Sequence, residues 1–280
     1  MYNFVKEINI NSLRNPKIIN YKKNLILIGS KIYQENENKK KYLLFSYILD
    51  ENFNLINDTE KILNFENIEK NSTKDINISC WIRDIYNEDE YYYLLVEFKQ
   101  NHNNEYFTSN NYYLRTLDFN DFEIYKKYNM QDLFFKEYEN NLFISKIINT
   151  EHFWGSYFFE FIINNQKIRP IFDKFVKYEK NEGHLLHDLK KINNIYYILF
   201  SIRHFDKNEK NNFYYKIYEA ESLDLINYTN TKELDLDIKD IDTKWLCYPW
   251  KFKINNNQYI IFNQDDFGKE KKPLLFKYEK

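Results

Sequence analysis

Glycine and proline are scarce in this sequence, with four residues of each among 280. The two cysteines, Cys80 and Cys247, are too few for a disulfide framework. No apolar run reaches the roughly 18 residues of a membrane-spanning helix. The N-terminal residues lack the basic-then-apolar pattern of a secretory signal, so we expect a cytoplasmic protein. A formal net charge of −2 argues against a nucleic-acid partner bound through bulk electrostatics.

Recognisable motifs for phosphate, redox and acyl-transfer chemistry are also missing. The sequence contains no glycine-rich phosphate loop, no Cys-x-x-Cys pair and no Gly-x-Ser-x-Gly elbow. We therefore predict no bound cofactor.

Aromatic residues are abundant, with 26 Tyr and 24 Phe. Aromatic and β-branched side chains favour strands. Asn is also frequent, and it tolerates positive φ as glycine does, so we expect Asn to replace glycine in the turns. Lys outnumbers Arg 35 to 5, which makes the position of each Arg informative.

One pattern recurs along the chain: two apolar strands around a polar turn, the second strand ending in a polar residue. It occurs at 14–30, 80–97, 133–146, 187–201 and 247–268. A second hairpin follows most copies, at 41–58, 112–125, 157–172 and 214–228.

Together the two hairpins make a four-stranded unit repeated about five times, a period that indicates a β-propeller. The last unit has room for three strands, and residues 2–8 can supply the fourth. We predict a single all-β domain, residues 1–280, forming a five-bladed propeller closed by the N-terminal strand. A large β-sandwich or two small β domains are the alternatives.

The last 90 or so residues carry motifs that resemble a known group of proteins. The order is an aromatic strand, Ser-x-Arg, Tyr-x-Ile-Tyr-x-Ala-Glu-Ser, Cys-Tyr-Pro, and Tyr-x-x-x-Asn before a glycine loop. The positions are Ser201, Arg203, Tyr215, Ile217, Tyr218, Ala220, Glu221, Ser222, Cys247, Tyr248, Pro249, Tyr259, Asn263 and Gly268. They resemble five-bladed propellers related to glycoside hydrolase family 43, especially those associated with surface-polysaccharide biosynthesis.

That resemblance implies a carbohydrate site at one end of the propeller axis, but it does not imply hydrolysis. The related hydrolases use three carboxylates, and this sequence has Arg14-Asn15-Pro16 where their blade-one Asp base stands. Asp84 is similar to the second carboxylate, and Glu182 is a looser match to the acid. A glycosidase needs one protonated and one ionised carboxyl group, so Asp84 with Glu182 is the hydrolase hypothesis.

Innermost strands and the ends of the second strands should line the axial pocket, and polar residues there are the site candidates. Arginine pairs with carboxylate or phosphate through two contacts, which favours an anionic ligand; salt bridges between blades are the alternative. The predicted substrate-binding residues are Arg14, Asn15, Trp81, Arg83, Glu97, Arg203, His204, Tyr248, Asn263 and Asp265.

Histidines cluster around one hairpin. His187, oriented by Asp188, is a candidate general base near neutral pH, and His204 lies near the other end of the adjacent strand. Structural histidines and a metal site are the alternatives. His184 and His187 are three residues apart and so face opposite sides of a strand, which disfavours a single metal. The predicted catalytic residues are Asp84, Glu182, His187 and Asp188, with no metal ligand.

Trp81 and Trp250 each lie in a first strand near the expected pocket. An indole face stacks well on a sugar ring, although core packing is the usual role of a buried Trp.

We therefore predict a carbohydrate-active enzyme of cell-surface polysaccharide biosynthesis or modification. Its ligand is a sugar, sugar nucleotide or glycan, with an anionic or activated sugar in the axial pocket and possible glycosyl or group transfer as the reaction. An inverting glycoside hydrolase with a displaced base and a non-catalytic glycan-binding propeller are the alternatives.

Overall fold

A computed structural model gives the fold of the chain. It describes residues 1–36, 39–68, 78–102, 105–128, 134–138, 141–148, 156–163, 166–173, 183–205, 213–238, 246–264 and 271–279. Within these ranges the regular structure consists of 22 β-strands. None of the described residues forms a helix of the length and hydrophobicity that a membrane span requires.

The described strands form five sheets, and the first three follow chain order. The first sheet contains β2 (Arg14–Tyr21), β3 (Asn24–Asn36), β4 (Lys39–Leu49) and β5 (Lys61–Ile62). The second contains β6 (Ile78–Glu88), β7 (Tyr91–His102), β8 (Glu105–Thr116) and β9 (Glu123–Tyr128). The third contains β10 (Phe134–Tyr138), β11 (Asn141–Ile148), β12 (Ser156–Ile163) and β13 (Gln166–Ile168).

The other two sheets each gain strands from elsewhere in the chain. The fourth orders β14 (Ile171–Phe172), β18 (Asn227–Glu233), β17 (Phe213–Ser222), β16 (Ile195–Phe205) and β15 (Gly183–Ile192). The fifth orders β19 (Leu236–Asp237), β1 (Tyr2–Glu7), β22 (Leu274–Tyr278), β21 (Asn257–Gln264) and β20 (Leu246–Ile254). The N-terminal strand β1 therefore pairs with β22, antiparallel, as predicted for residues 2–8.

The innermost strands are β2, β6, β10, β15 and β20, and each forms one edge of its sheet. β2 contacts β6 on one side and β20 on the other, β6 also contacts β10, and β15 contacts β20. The third and fourth sheets meet through β12 and β15. The predicted all-β propeller is confirmed, whereas the number of blades, the closing of the ring and the single-domain assignment stay predictions.

Hairpin turns follow the expected chemistry. Asn193 and Asn194 have φ of 50° and 64°, and Asn255 and Asn256 have φ of 48° and 64°. Two consecutive positive φ values characterise the two-residue turns that match strand twist. Asn therefore does in these hairpins what glycine does elsewhere, as the composition predicted.

The second hairpins were predicted less accurately. Residues 41–58 were predicted to form a hairpin, but after β4 the chain makes a turn at Asp50–Asn54 and only an isolated bridge at Leu55. The outer strand is the two-residue β5, which pairs with Phe45 and Ser46. Residues 171–172 were assigned to the third unit, but β14 pairs parallel with β18 of the fourth sheet.

Candidate functional site

Four innermost strands share one irregularity. The pairing register shifts between Arg14 and Lys17 in β2, Ile82 and Asp84 in β6, Leu186 and Asp188 in β15, and Cys247 and Trp250 in β20. A β-bulge of this kind places an extra residue on one strand and re-aims its side chain. The residues at these bulges, called here the bulge layer, are Asn15, Arg83, His187 and Tyr248.

All four bulge-layer residues were predicted from the sequence as site residues. Asn15 and Tyr248 each have φ of 51°, and a proline follows each of them. The His187 ring lies edge-on to the Tyr248 ring, with centroids 6.1 Å apart, so the bulges of the fourth and fifth sheets meet.

The second strand of the same four sheets adds a buried polar residue beside the bulge. These residues pair with the innermost strand just before or at the start of its bulge. Each of them is at most 1% exposed, which agrees with the polar residue expected at the end of each second strand. They are Ser30, Glu97, Ser201 and Asn263.

A row of two aromatic rings with a cation at each end connects the first two sheets. The Arg14 guanidinium carbon lies 5.4 Å from the centre of the Tyr42 ring. Tyr42 and Trp81 have ring centroids 4.2 Å apart, and the Arg83 guanidinium carbon lies 6.0 Å from the Trp81 ring. This row, Arg14–Tyr42–Trp81–Arg83, is called here the cation–aromatic row, and it presents planar groups suited to the faces of a sugar or an anion.

Two buried N–H donors close to this row have no hydrogen-bond partner among the described residues. They are the side-chain amide nitrogen Nδ2 of Asn15, a residue 3% exposed, and the indole Nε1 of Trp81. Because leaving a buried donor unpaired is costly, native proteins rarely do so outside functional sites or water sites. The two donors therefore indicate a place for an acceptor-rich ligand.

Arg83 and Glu97 form a buried ion pair, with side chains 6% and 0% exposed. Arg83 Nε donates to Glu97 Oε2 at 2.8 Å, and Nη2 donates to the same oxygen. Lys99 Nζ lies 3.5 Å from Glu97 Oε1, and burial lowers the pKa of Lys99 although Glu97 opposes that shift. The bridge lies within the second sheet rather than between two blades, the alternative to an anionic ligand, and it gives Arg83 and Glu97 a structural role.

His187 does not have the properties of the general base near neutral pH that the sequence predicted. Its Nε2 lies 2.8 Å from Ser201 Oγ. Loss of hydration lowers the pKa of His187 well below its usual range; the positive charge of Lys17 adds to this, and Asp188 opposes it. The imidazole is therefore neutral at pH 7, able to share a hydrogen bond but a weak base.

Asp84 and Asp188 occupy matching positions directly after their bulges, and both are buried. Each directs Oδ1 at the backbone N–H of the following residue, at 3.0 Å for Asp84 and 2.9 Å for Asp188. Asp188 Oδ2 also lies 2.9 Å from Lys190 Nζ. Both carboxylates border one cavity of about 1070 Å³, lined by residues of the first, second, fourth and fifth sheets. The structure thus brings together two of the predicted catalytic residues.

Some predicted residues are only partly described or lie elsewhere. Glu182 and Asp265 lie outside the described residues, and Arg203 and His204 lie in β16 without described side chains. Asn263 Nδ2 is 3.4 Å from Cys247 Sγ, so this amide faces its own sheet.

Sequence reasoning missed Lys17, which is 5% exposed. Its Nζ lies 4.2 Å from the centre of the Trp250 ring, and Trp250 Nε1 donates to the Ile18 carbonyl at 3.3 Å. These contacts support core packing for Trp250. The sequence did contain a pattern that marks this position, because Lys17 follows Asn15-Pro16 as Trp250 follows Tyr248-Pro249.

No protein-family model matches the sequence, and no curated protein matches it. Solved structures do match. Bacillus subtilis arabinanase Arb43A is 13% identical with a TM-score of 0.57, covering 98% of this chain and 96% of its own. A glycosyl hydrolase from Bacteroides ovatus is 11% identical with a TM-score of 0.63, covering 96% and 84%.

A third match is MPT-4, a mannose phosphorylase from Leishmania mexicana in complex with a phosphate ion. It is 8% identical with a TM-score of 0.61, covering 99% of this chain and 87% of its own. At such identities the likeness concerns the backbone. The chain therefore has the β-propeller fold that these carbohydrate-active enzymes also have.

Proposed function

We propose that this chain is a carbohydrate-active enzyme that binds an anionic or activated sugar on the propeller axis, at the bulge layer. In this proposal the five sheets are five blades, and β1 closes the ring. The arabinanase, glycosyl hydrolase and phosphorylase with the same fold support a carbohydrate substrate by analogy.

The observation that carries the proposal is a pair of donors at the cation–aromatic row, Asn15 Nδ2 and Trp81 Nε1, which have no hydrogen-bond partner among the described residues. Sugar hydroxyl and carboxylate oxygens are acceptors, and an aromatic ring packs against the C–H face of a sugar. Ligand sites typically combine such apolar faces with a few placed polar groups. Arg14 adds positive charge at one end of the row, which favours an anionic ligand, whereas Glu97 compensates the charge of Arg83 at the other end.

Proton transfer in this proposal falls to carboxylates. Asp84 and Asp188 are buried next to the axial cavity, and Glu182 is the third candidate. His187 holds a hydrogen bond in its neutral form. The assignment to surface-polysaccharide biosynthesis, and to the cytoplasm, stays a prediction made from the sequence.

Binding of sugars to Trp81→Phe tests the site. The substitution keeps an aromatic ring and removes Nε1. Isothermal titration with uronic acids, sugar phosphates and nucleotide sugars should give a ligand whose affinity falls about tenfold in the variant, as expected for one lost hydrogen bond to a charged acceptor.

Trp250→Phe is the matched control, because its Nε1 already donates to the Ile18 carbonyl. This variant should be less stable than the wild type but should bind the same ligand with wild-type affinity. Equal binding by wild type and Trp81→Phe, with every ligand of the panel, would exclude the bulge layer as the sugar site.

One observation favours a second candidate, a non-catalytic glycan-binding propeller. Asn15 stands where the resemblance places the Asp base, and an amide cannot take up a proton from water at neutral pH. If the wild type binds a glycan without turnover while Asn15→Asp releases reducing sugar from it, the protein is a binding propeller. Turnover by the wild type that is lost in Asp84→Asn identifies an enzyme.

A further inference from the structure

The axial cavity of about 1070 Å³ lies beyond the bulge layer, towards the hairpin turns. Its lining residues follow the bulges along the innermost strands: Ile18–Asn20, Asp84–Asn87, Asp188–Ile192 and Trp250–Ile254. It therefore opens at the end of the axis opposite to the cation–aromatic row. Its volume is at the upper end of the range for pockets that hold small ligands.

Four lysines line this cavity, from three different sheets. Lys126 lies in β9, Lys190 and Lys191 lie in β15, and Lys253 lies in β20. The acidic residues among the described lining are the two buried aspartates, and Asp188 already pairs with Lys190. A chain with a formal net charge of −2 thus surrounds this cavity with an excess of positive charge. Lysine ammonium groups attract anions as mobile point charges.

One wall of the cavity is aromatic. Tyr86, Tyr113 and Tyr125 line it from the second sheet, whereas Trp250 and Phe252, which line it from the fifth, are buried members of the hydrophobic core. The Tyr125 side chain is 56% exposed, an unusual state for a ring held in an aromatic cluster. Tyr93 joins the cluster behind the wall, with its ring centroid 4.9 Å from that of Tyr86 and 5.1 Å from that of Tyr125.

The exposed Tyr125 ring can pack on a pyranose ring, and the lysines of the lining offer charge to acidic substituents. We propose that the axial cavity at the hairpin end is a second ligand site, which binds an acidic oligosaccharide. Sugar rings pack on the tyrosine wall, and carboxylates of the ligand reach Lys126 and Lys253. Lys126 and Lys253 belong neither to the bulge layer nor to the cation–aromatic row, so this binding can be tested separately, although Asp84 and Asp188 border both places.

Calorimetric titration with an α-1,4-linked trimer of galacturonic acid tests the proposal. The same trimer with methyl-esterified carboxyl groups is the neutral control ligand. The acidic trimer should bind, and the affinity for it should fall as the salt concentration rises. The ester should bind at least tenfold more weakly than the acidic trimer. The double variant Lys126→Ala/Lys253→Ala should reduce affinity for the acidic trimer by about tenfold, the size expected for two exposed charge contacts.

Lys167→Ala is the matched lysine control, since Lys167 is exposed on β13 and does not line the cavity. It should bind the acidic trimer as the wild type does. Loss of this binding in Trp81→Phe would place the trimer at the bulge layer and overturn the second site. Equal affinity for acid and ester, unchanged affinity in the double variant, or binding of glucose 1-phosphate but not of the trimer would also overturn it.

Discussion

At the scale of single residues, the bulge layer is stabilised by pairs within a sheet. Arg83 and Glu97 are the most buried charged pair described, and without Arg83 the Glu97 carboxylate keeps only its 3.5 Å contact with Lys99. Arg83→Met should therefore lower the free energy of unfolding by about 3–5 kcal/mol in urea titrations. The double variant Arg83→Met/Glu97→Met should lose less than the sum of the two single variants, because both single variants break the same pair. Additive losses would show that the two side chains do not interact.

His187 makes stability depend on pH. Its pKa in the folded state lies well below the usual value near 6.5, so the unfolded chain takes up a proton first as the pH falls. The folded state consequently loses stability from about pH 6.5 downward, until the folded-state pKa is reached. His187→Gln should flatten the thermal-melting curve between pH 7 and 5 relative to wild type. An unchanged slope would mean that the ring is hydrated in the folded protein.

At the scale of elements, the first hairpin of each unit could be predicted from the sequence, but the bulges could not. Alternation and Asn turns predict β15–β16 and β20–β21 because both signals are local. A bulge depends on a residue's partner across the sheet, and nothing local in "WIRD" says that Arg83 is the extra residue. The short strands β5, β14 and β19 pair through two residues each, too few to leave a periodic pattern. Lys17 was missed for a related reason, since its partner Trp250 lies at the other end of the chain.

Gly29 shows how closely one bulge is packed. It lies in β3 between Ile28 and Ser30, opposite the bulge of β2. A Cβ added at Gly29 would lie 2.6 Å from Leu13 Cγ and 2.9 Å from the Arg14 carbonyl oxygen. Gly29→Ala should therefore lower the free energy of unfolding in denaturant titrations by about 1–3 kcal/mol, the usual range for overpacking. It should also weaken ligand binding at the cation–aromatic row because it displaces Arg14. A melting temperature equal to wild type would show that the bulge moves freely.

At the scale of the whole molecule, the site exists only because distant segments meet. The sequence placed Asn15, Arg83, His187 and Tyr248 in the first strands of four repeat copies, which is why all four could be selected as candidates. Their pairings could not be predicted, because they depend on side-chain direction across the axis. His187 meets Tyr248 and Ser201, and Arg83 meets Glu97, within distances that no repeat pattern specifies.

The strand β1 is the element on which the ring proposal depends. It pairs with β22 on one side and with β19 on the other, and Tyr2 is 3% exposed. Deletion of residues 2–7 should lower the melting temperature, because it removes a paired strand and exposes the edge of β22. A synthetic peptide of residues 1–9 should bind the shortened chain by strand addition and restore part of the loss. Tyr2→Ala is the milder variant, with an expected cost of about 3–5 kcal/mol. A strand that closes the ring holds the fifth sheet next to the first, so its loss must destabilise the protein. If the shortened chain melts at the wild-type temperature, β1 does not close the ring.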